Sequence, residues 1–162
     1  MALIIVEGMD NTGKSTLIQA LAEEFRLPTA RTYKKPDASK EIHIWDAWCN
    51  TCPLPLILDR HPAISDLVYG PLLRGITYSG LGLAQNVCEG NYLIYCRPSI
   101  DVINSSMGER DQLEGVPENS HKLLHAYDNL MEELHPDVIY DYTQKDAINI
   151  LKQVLTTFLG RL

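Results

Sequence analysis

Apolar residues run along this chain in two rhythms. Leu3 to Glu7 is an unbroken apolar stretch closed by a carboxylate, the pattern of a parallel strand buried on both faces. Leu54, Leu56, Ile57 and Leu58 before Asp59 repeat it, as do Tyr92 to Cys96 and Val138 to Tyr142, and Ala30 to Tyr33 is a weaker instance. Between these runs the spacing changes to that of helices. Leu17, Leu21 and Phe25 form one stripe over Lys14 to Phe25, with Ile18 and Ala22 beside it, and Pro28 stops the helix. Further helices are predicted over Ile64 to Leu73 behind Pro62, over Leu81 to Cys88 closed by Gly90, over Ile100 to Met107 and over Ser120 to Leu134. Thr143 with Asp146 reads as a capping box for a last helix that ends near Gly160. Strands alternating with helices predict an α/β three-layer sandwich: a parallel five-stranded sheet with helices on both faces, in one domain over residues 1–162.

Composition narrows the class. Hydrophobic residues make up 45% and charged residues 22% of 162 residues, as in ordinary globular proteins. No apolar run is long enough to span a bilayer, and Met1 to Val6 lacks the basic start of a signal peptide. A cytoplasmic protein without a membrane partner is expected. The net charge of −7, with 14 Lys and Arg against 21 Asp and Glu, argues against a nucleic-acid polymer, which calls for a basic stripe. An anionic ligand would instead be held by a few local cations and backbone N–H groups. Cys49 and Cys52 form one C-x-x-C, but Cys88 and Cys96 do not supply the matching pair of a zinc site, so free thiols are expected.

The chemistry lies after the first strand. Gly8-Met9-Asp10-Asn11-Thr12-Gly13-Lys14-Ser15 matches G-x-x-x-x-G-K-[ST] in full, with a strand before it and a helix behind. Glycines let the backbone fold so that successive N–H groups face a phosphate, and the following helix turns its positive end to the same anion. Gly8, Asn11, Thr12, Gly13, Lys14, Ser15 and Thr16 are therefore expected to bind the phosphates of ATP. Lys14 would reach the β- and γ-phosphates, and Ser15 would offer its hydroxyl to Mg²⁺. The frame becomes a P-loop NTPase type. Asp59-Arg60-His61 closes the second clear strand, at the sheet edge where ligands gather. Asp59 is placed to help hold Mg²⁺, and Arg60 to grip an acceptor phosphate.

With these residues the chain resembles thymidylate kinases. Glu7-Gly8-Met9-Asp10 through Gly13-Lys14-Ser15-Thr16 is similar to that family's E-G-x-D-x-x-G-K-S-T loop. Asp59-Arg60-His61 with Ser65, Tyr69 and Arg74 is similar to its D-R-[YH] motif and the Ser, Tyr and Arg downstream of it. Tyr92 to Pro98 and then Gly108-Glu109-Arg110 are similar to its fourth strand and Arg-bearing lid, here at about 107–118. The resemblance implies that Arg60 holds the acceptor phosphate, that Asp10 sits near the acceptor and the transferring group, and that Arg74 lies near the base or phosphate; Tyr69, like Tyr78, is expected either to flank a base or to pack in the core. It also implies that Arg110 descends from the lid, and it admits a homodimer. The family's T-R-E-P stretch appears only as Thr32-Tyr33-Lys34-Lys35-Pro36, where Lys34 or Lys35 would replace the arginine. Ala38 to Pro53 has no counterpart. The base is therefore open, dTMP or a broader set such as dGMP, as in compact phage-type deoxynucleotide kinases.

The activity implied is transfer of the ATP γ-phosphate to a deoxynucleoside monophosphate. A nucleoside kinase is the alternative, with Asp59 or Asp10 as the base that a hydroxyl acceptor requires. A GTP-binding switch is a more distant one, and the N-K-x-D stretch that would read guanine does not occur. Tyr127 is expected in the core, and Trp45 and Trp48 on one helix face.

Overall fold

In the computed structural model, residues 3–32, 51, 55–105 and 119–162 are described. They form β1 (Leu3–Glu7), α1 (Lys14–Phe25), β2 (Thr29–Arg31), β3 (Leu56–Asp59), α2 (Pro62–Leu73), α3 (Leu81–Cys88), β4 (Tyr92–Cys96), α4 (Ile100–Ser105), α5 (Ser120–Leu134), β5 (Val138–Tyr140) and α6 (Ala147–Leu159). All strands are parallel, in the order β2-β3-β1-β4-β5. The chain lays β2 and β3 on one side of β1 and then crosses to lay β4 and β5 on the other. That reversal opens a crevice beyond the carboxyl end of β1.

Alternation along β1 assigns the two cores. Leu3 and Ile5 pack with Leu56, Leu58, Val68, Leu93 and Leu123 on the face covered by α2, α3 and α5. Ile4 and Val6 pack with Leu17, Leu21, Ile57, Ile94, Leu151 and Leu155 on the face covered by α1 and α6. Each strand residue changes face at every step. Glu7 therefore continues the parity of Leu3 and Ile5, and its carboxylate is carried into the first core.

Element ends follow local chemistry. Helix α1 closes on Arg26 in the left-handed region at φ 53°, before Pro28 is reached. His61 caps α2: its Nδ1 accepts from the Ala63 N–H at 3.2 Å, with Pro62 in the first turn. The capping box expected for the last helix does not form. The Thr143 hydroxyl and N–H both donate to Asp141 Oδ1, at 2.7 and 2.9 Å, and Asp146 precedes the helix in the left-handed region without a side-chain cap. An Asx turn at Asp141 outcompetes the cap. Cys88 and Cys96 are free thiols. No described helix is long and apolar enough to cross a membrane. The lid with Arg110, Lys34, Lys35, Trp45, Trp48, Cys49 and Cys52 lie outside the described residues.

Candidate functional site

The loop after β1 is shaped by what cannot fit beside it. Gly8 has φ +141°, and a Cβ there would stand 2.6 Å from the Cys96 carbonyl oxygen at the end of β4. Gly13 has φ +83°, and a Cβ there would stand 2.8 Å from the ring of Tyr142. Both positions demand glycine, for backbone conformation and for space. Inside the loop, Lys14 Nζ donates to the Met9 carbonyl at 2.6 Å and Thr12 Oγ1 donates to the same oxygen at 2.9 Å. Lys14 is buried. Burial, with repulsion from Arg60 second, pushes its pKa down to about 8. It is a desolvated cation on a carbonyl that can yield to a stronger anionic acceptor.

A cavity of about 170 Å³ lies over this loop, lined by Asp10, Asn11, Thr12, Gly13, Lys14, Ser15, Arg31, Asp59 and Arg60. The motif residues after β1 and after β3 thus meet at one place, brought together by the pairing of Val6 with Asp59. Asp59 Oδ2 lies 3.4 Å from Arg31 Nε, while its Oδ1 is buried without a hydrogen-bond partner among the described residues. Buried polar atoms are rarely left so. An orphaned carboxylate oxygen sharing a cavity with the Ser15 hydroxyl fits a hard, oxygen-seeking cation such as Mg²⁺. Among the described residues no cluster of three or more His, Cys, Asp or Glu exists, so such an ion would complete its shell with phosphate oxygens and water.

Arg60 is the centre of the other half. It is 1% exposed and adopts φ 72°, a costly conformation for a residue with a Cβ. Its guanidinium donates to Asp10 Oδ1 at 2.6 Å and to Tyr127 Oη at 2.7 Å, and lies 4.9 Å from the centre of the Tyr69 ring. Burial alone would lower its pKa, but Tyr127, Tyr69, Asp10 and Glu7 together hold it well above the ordinary value. Arg60 therefore stays charged in the interior.

Beneath Arg60 is a residue that sequence reasoning leaves as the end of a strand. Glu7 is fully buried and accepts from the His61 N–H at 2.7 Å, from Ser65 Oγ at 3.0 and 3.2 Å, and from Tyr127 Oη at 3.1 Å. Burial raises its pKa, against the opposing charge of Arg60. Strand parity is the signal that could have found it, since Glu7 falls on the same face as Leu3 and Ile5. Tyr127 is buried as expected, but its hydroxyl, 120 residues away in sequence from Glu7, left no trace in local spacing.

Two residues expected near the substrate are held by protein partners in this structure. Tyr69 is fully buried; it packs edge-on to Tyr127 at 6.0 Å and supports Arg60 rather than lining the cavity. Arg74 is committed to the buried Asp66 carboxylate, whose other oxygen accepts from the N–H groups of Tyr78 and Ser79 at 2.6 and 2.9 Å. This clasp ties the turn after α2 to the helix.

No protein-family model and no curated protein sequence matches the chain. Solved structures do. The fold is similar to that of the Bacillus subtilis YorR protein, solved in complex with phosphorylated GDP, at 19% identity and TM-score 0.76 over 96% of this chain and 95% of that one. It is similar to shikimate kinase from Acinetobacter baumannii, solved with shikimate, at 14% identity and TM-score 0.61 over 99% and 94%. A sugar kinase from Janibacter is similar at 21% identity and TM-score 0.50 over 99% and 95%. At such identities the likeness is one of architecture: the chain has the α/β fold of P-loop kinases.

Proposed function

We propose that the protein is an ATP-dependent nucleoside monophosphate kinase that transfers the γ-phosphate to a deoxynucleoside monophosphate, dTMP or a broader set such as dGMP. The observation that carries this reading is the buried, charged Arg60 in the same cavity as Lys14. A monophosphate is mostly dianionic at neutral pH, its second pKa being about 6. It brings its own nucleophilic oxygen, so its site needs cations rather than a base. Arg60 would receive that phosphate, with Asp10 balancing its charge until the acceptor arrives.

In the reaction an acceptor phosphate oxygen forms a bond to the γ-phosphorus as the bond to the β–γ bridging oxygen breaks, and ADP leaves with that electron pair. Catalysis here is positioning and charge stabilisation. The loop from Gly8 to Thr16 would cradle the donor phosphates, and Lys14 would release Met9 to meet the β- and γ-oxygens. Ser15 and Asp59 would hold Mg²⁺, which when bound neutralises charge on the transferring group. Arg110 and Lys34 or Lys35 are further cations of the same reading, as is assembly into a homodimer. The reading is supported by the kinase names of the structural neighbours and by the phosphorylated guanine nucleotide in the YorR structure.

A second reading is favoured by one observation. Asp59 has a carboxylate oxygen in the cavity with no hydrogen-bond partner among the described residues, and such a group could take the proton of a nucleoside 5′-hydroxyl. ADP release with Mg-ATP is the assay that separates the two, against dTMP, dUMP, dGMP, dAMP, dCMP and the matching nucleosides. Turnover with monophosphates and none with nucleosides is expected; turnover with nucleosides alone would move the protein to the second class.

A further inference from the structure

Arg60 cannot hold its own place. Its backbone is fixed by its N–H on the Val6 carbonyl at 3.0 Å and by its carbonyl accepting from Thr32 Oγ1 at 2.6 Å, but its side chain is a long, flexible rod. Asp10 grips the guanidinium from the loop side. An acceptor phosphate would compete with that grip, so in the working state Arg60 needs a second support that the substrate does not displace.

We infer that Tyr127 is that support: a positioning residue whose hydroxyl, anchored on Glu7, holds the Arg60 guanidinium at the angle from which it meets the acceptor. This inference rests on the reading of Arg60 as the acceptor-phosphate contact. A phenol has one proton and accepting lone pairs. The Tyr127 hydroxyl gives its proton to Glu7 and takes a hydrogen bond from Arg60. Glu7 in turn receives the His61 N–H, from the residue next to Arg60. One buried carboxylate thus fixes both the backbone beside Arg60 and the hydroxyl beneath its guanidinium, closing a ring of bonds through Glu7, His61, Arg60 and Tyr127.

The ring of Tyr127 has a separate duty. It stacks on Tyr95 at 5.9 Å and meets Tyr69 edge-on, and a phenylalanine would do both. The hydroxyl is the atom by which α5 hydrogen-bonds Arg60, so Tyr127→Phe removes the positioning contact and leaves the packing. A hydrogen bond to a charged group is strong enough for its loss to cost roughly tenfold or more in rate.

The test is steady-state kinetics of Tyr127→Phe with the monophosphate that serves the wild type best, alongside Ser65→Ala. Ser65 Oγ donates to the same carboxylate, and among the described residues Arg60 donates to Asp10 and Tyr127, not to Ser65. For Tyr127→Phe the expected result is a fall of about tenfold or more in kcat/KM for the acceptor, with KM for ATP unchanged. Ser65→Ala should lower the thermal midpoint and leave the acceptor KM at the wild-type value. Wild-type kinetics in Tyr127→Phe, with only a lower midpoint, would overturn the inference and leave the functional reading standing. The same acceptor defect in Ser65→Ala would also overturn it, since general softening of the buried network would then explain both. A wild type that turns over no monophosphate would overturn the functional reading and this inference with it.

Discussion

The two halves of the cavity are built in different ways. The path of the phosphate loop is set by neighbours in sequence, through positive φ at Gly8 and Gly13, the start of α1 and Lys14 folded back on Met9, while Cys96 and Tyr142 only close over its glycines. The Arg60 half is a product of distance. Asp10 lies 50 residues from Arg60 and Tyr127 lies 67, and the buried Glu7 beneath them belongs to β1. Backbone donors and one lysine suit the donor phosphates, which any kinase of this fold must bind. Side chains converging from β1, β3 and α5 suit an acceptor, which differs from one kinase to the next.

If that division is right, substitutions should separate into classes. Lys14→Met should have the largest effect, lowering kcat on the order of 10²–10³-fold with every acceptor, read by ADP release. Arg60→Met should come next. Its kcat/KM for the monophosphate should fall on the order of 10²-fold while KM for ATP stays within a factor of about two. Its stability should also fall, because the buried hydrogen bonds of the guanidinium to Asp10 and Tyr127 are lost. A comparable loss on the ATP side would break the comparison.

Arg74 sharpens it. This arginine holds the buried Asp66 rather than the cavity, so Arg74→Gln should cost about 3 kcal/mol of stability by leaving a buried carboxylate short of its cation. Acceptor kinetics should change far less than in Arg60→Met. Chemical denaturation and the same kinetic assay check the two halves of that statement.

The smallest effect concerns pH. Burial lowers the pKa of His61 to about 4, so as pH falls through the ordinary value the unfolded chain takes up a proton that the folded chain refuses. Stability tied to His61 is then present at neutral pH and is lost between pH 6.5 and about 4. Asn at this position keeps an N-cap acceptor without titrating. The stability advantage of wild type over His61→Asn should therefore shrink by about 2–3 kcal/mol across that window. A constant gap would mean that the imidazole takes up its proton at the same pH in the folded and the unfolded chain.

The same division explains what could be read in advance. Helix α1, the helix over Ser120 to Leu134 and the strand Tyr92 to Cys96 all stand where periodicity puts them, because each is marked by the spacing of its own apolar residues. Arg60 and Asp10 are singled out by their motifs, and they do meet. Glu7 as the buried hub, the hydroxyl of Tyr127, and the commitment of Arg74 to Asp66 were not legible, since each depends on which helix packs over β1 and at what height. The Thr143 and Asp146 pattern failed for a local reason: Asp141, two residues before Thr143, took both of its donors first.

The central claim is that the acceptor is a phosphate. Phosphorus NMR of the reaction with Mg-ATP and a deoxynucleoside monophosphate tests it directly, because it identifies the bond that is made. Loss of the monoester signal and growth of a new nucleoside diphosphate alongside ADP are expected. A monoester appearing only when nucleosides are supplied, or inorganic phosphate as the sole new signal, would contradict it.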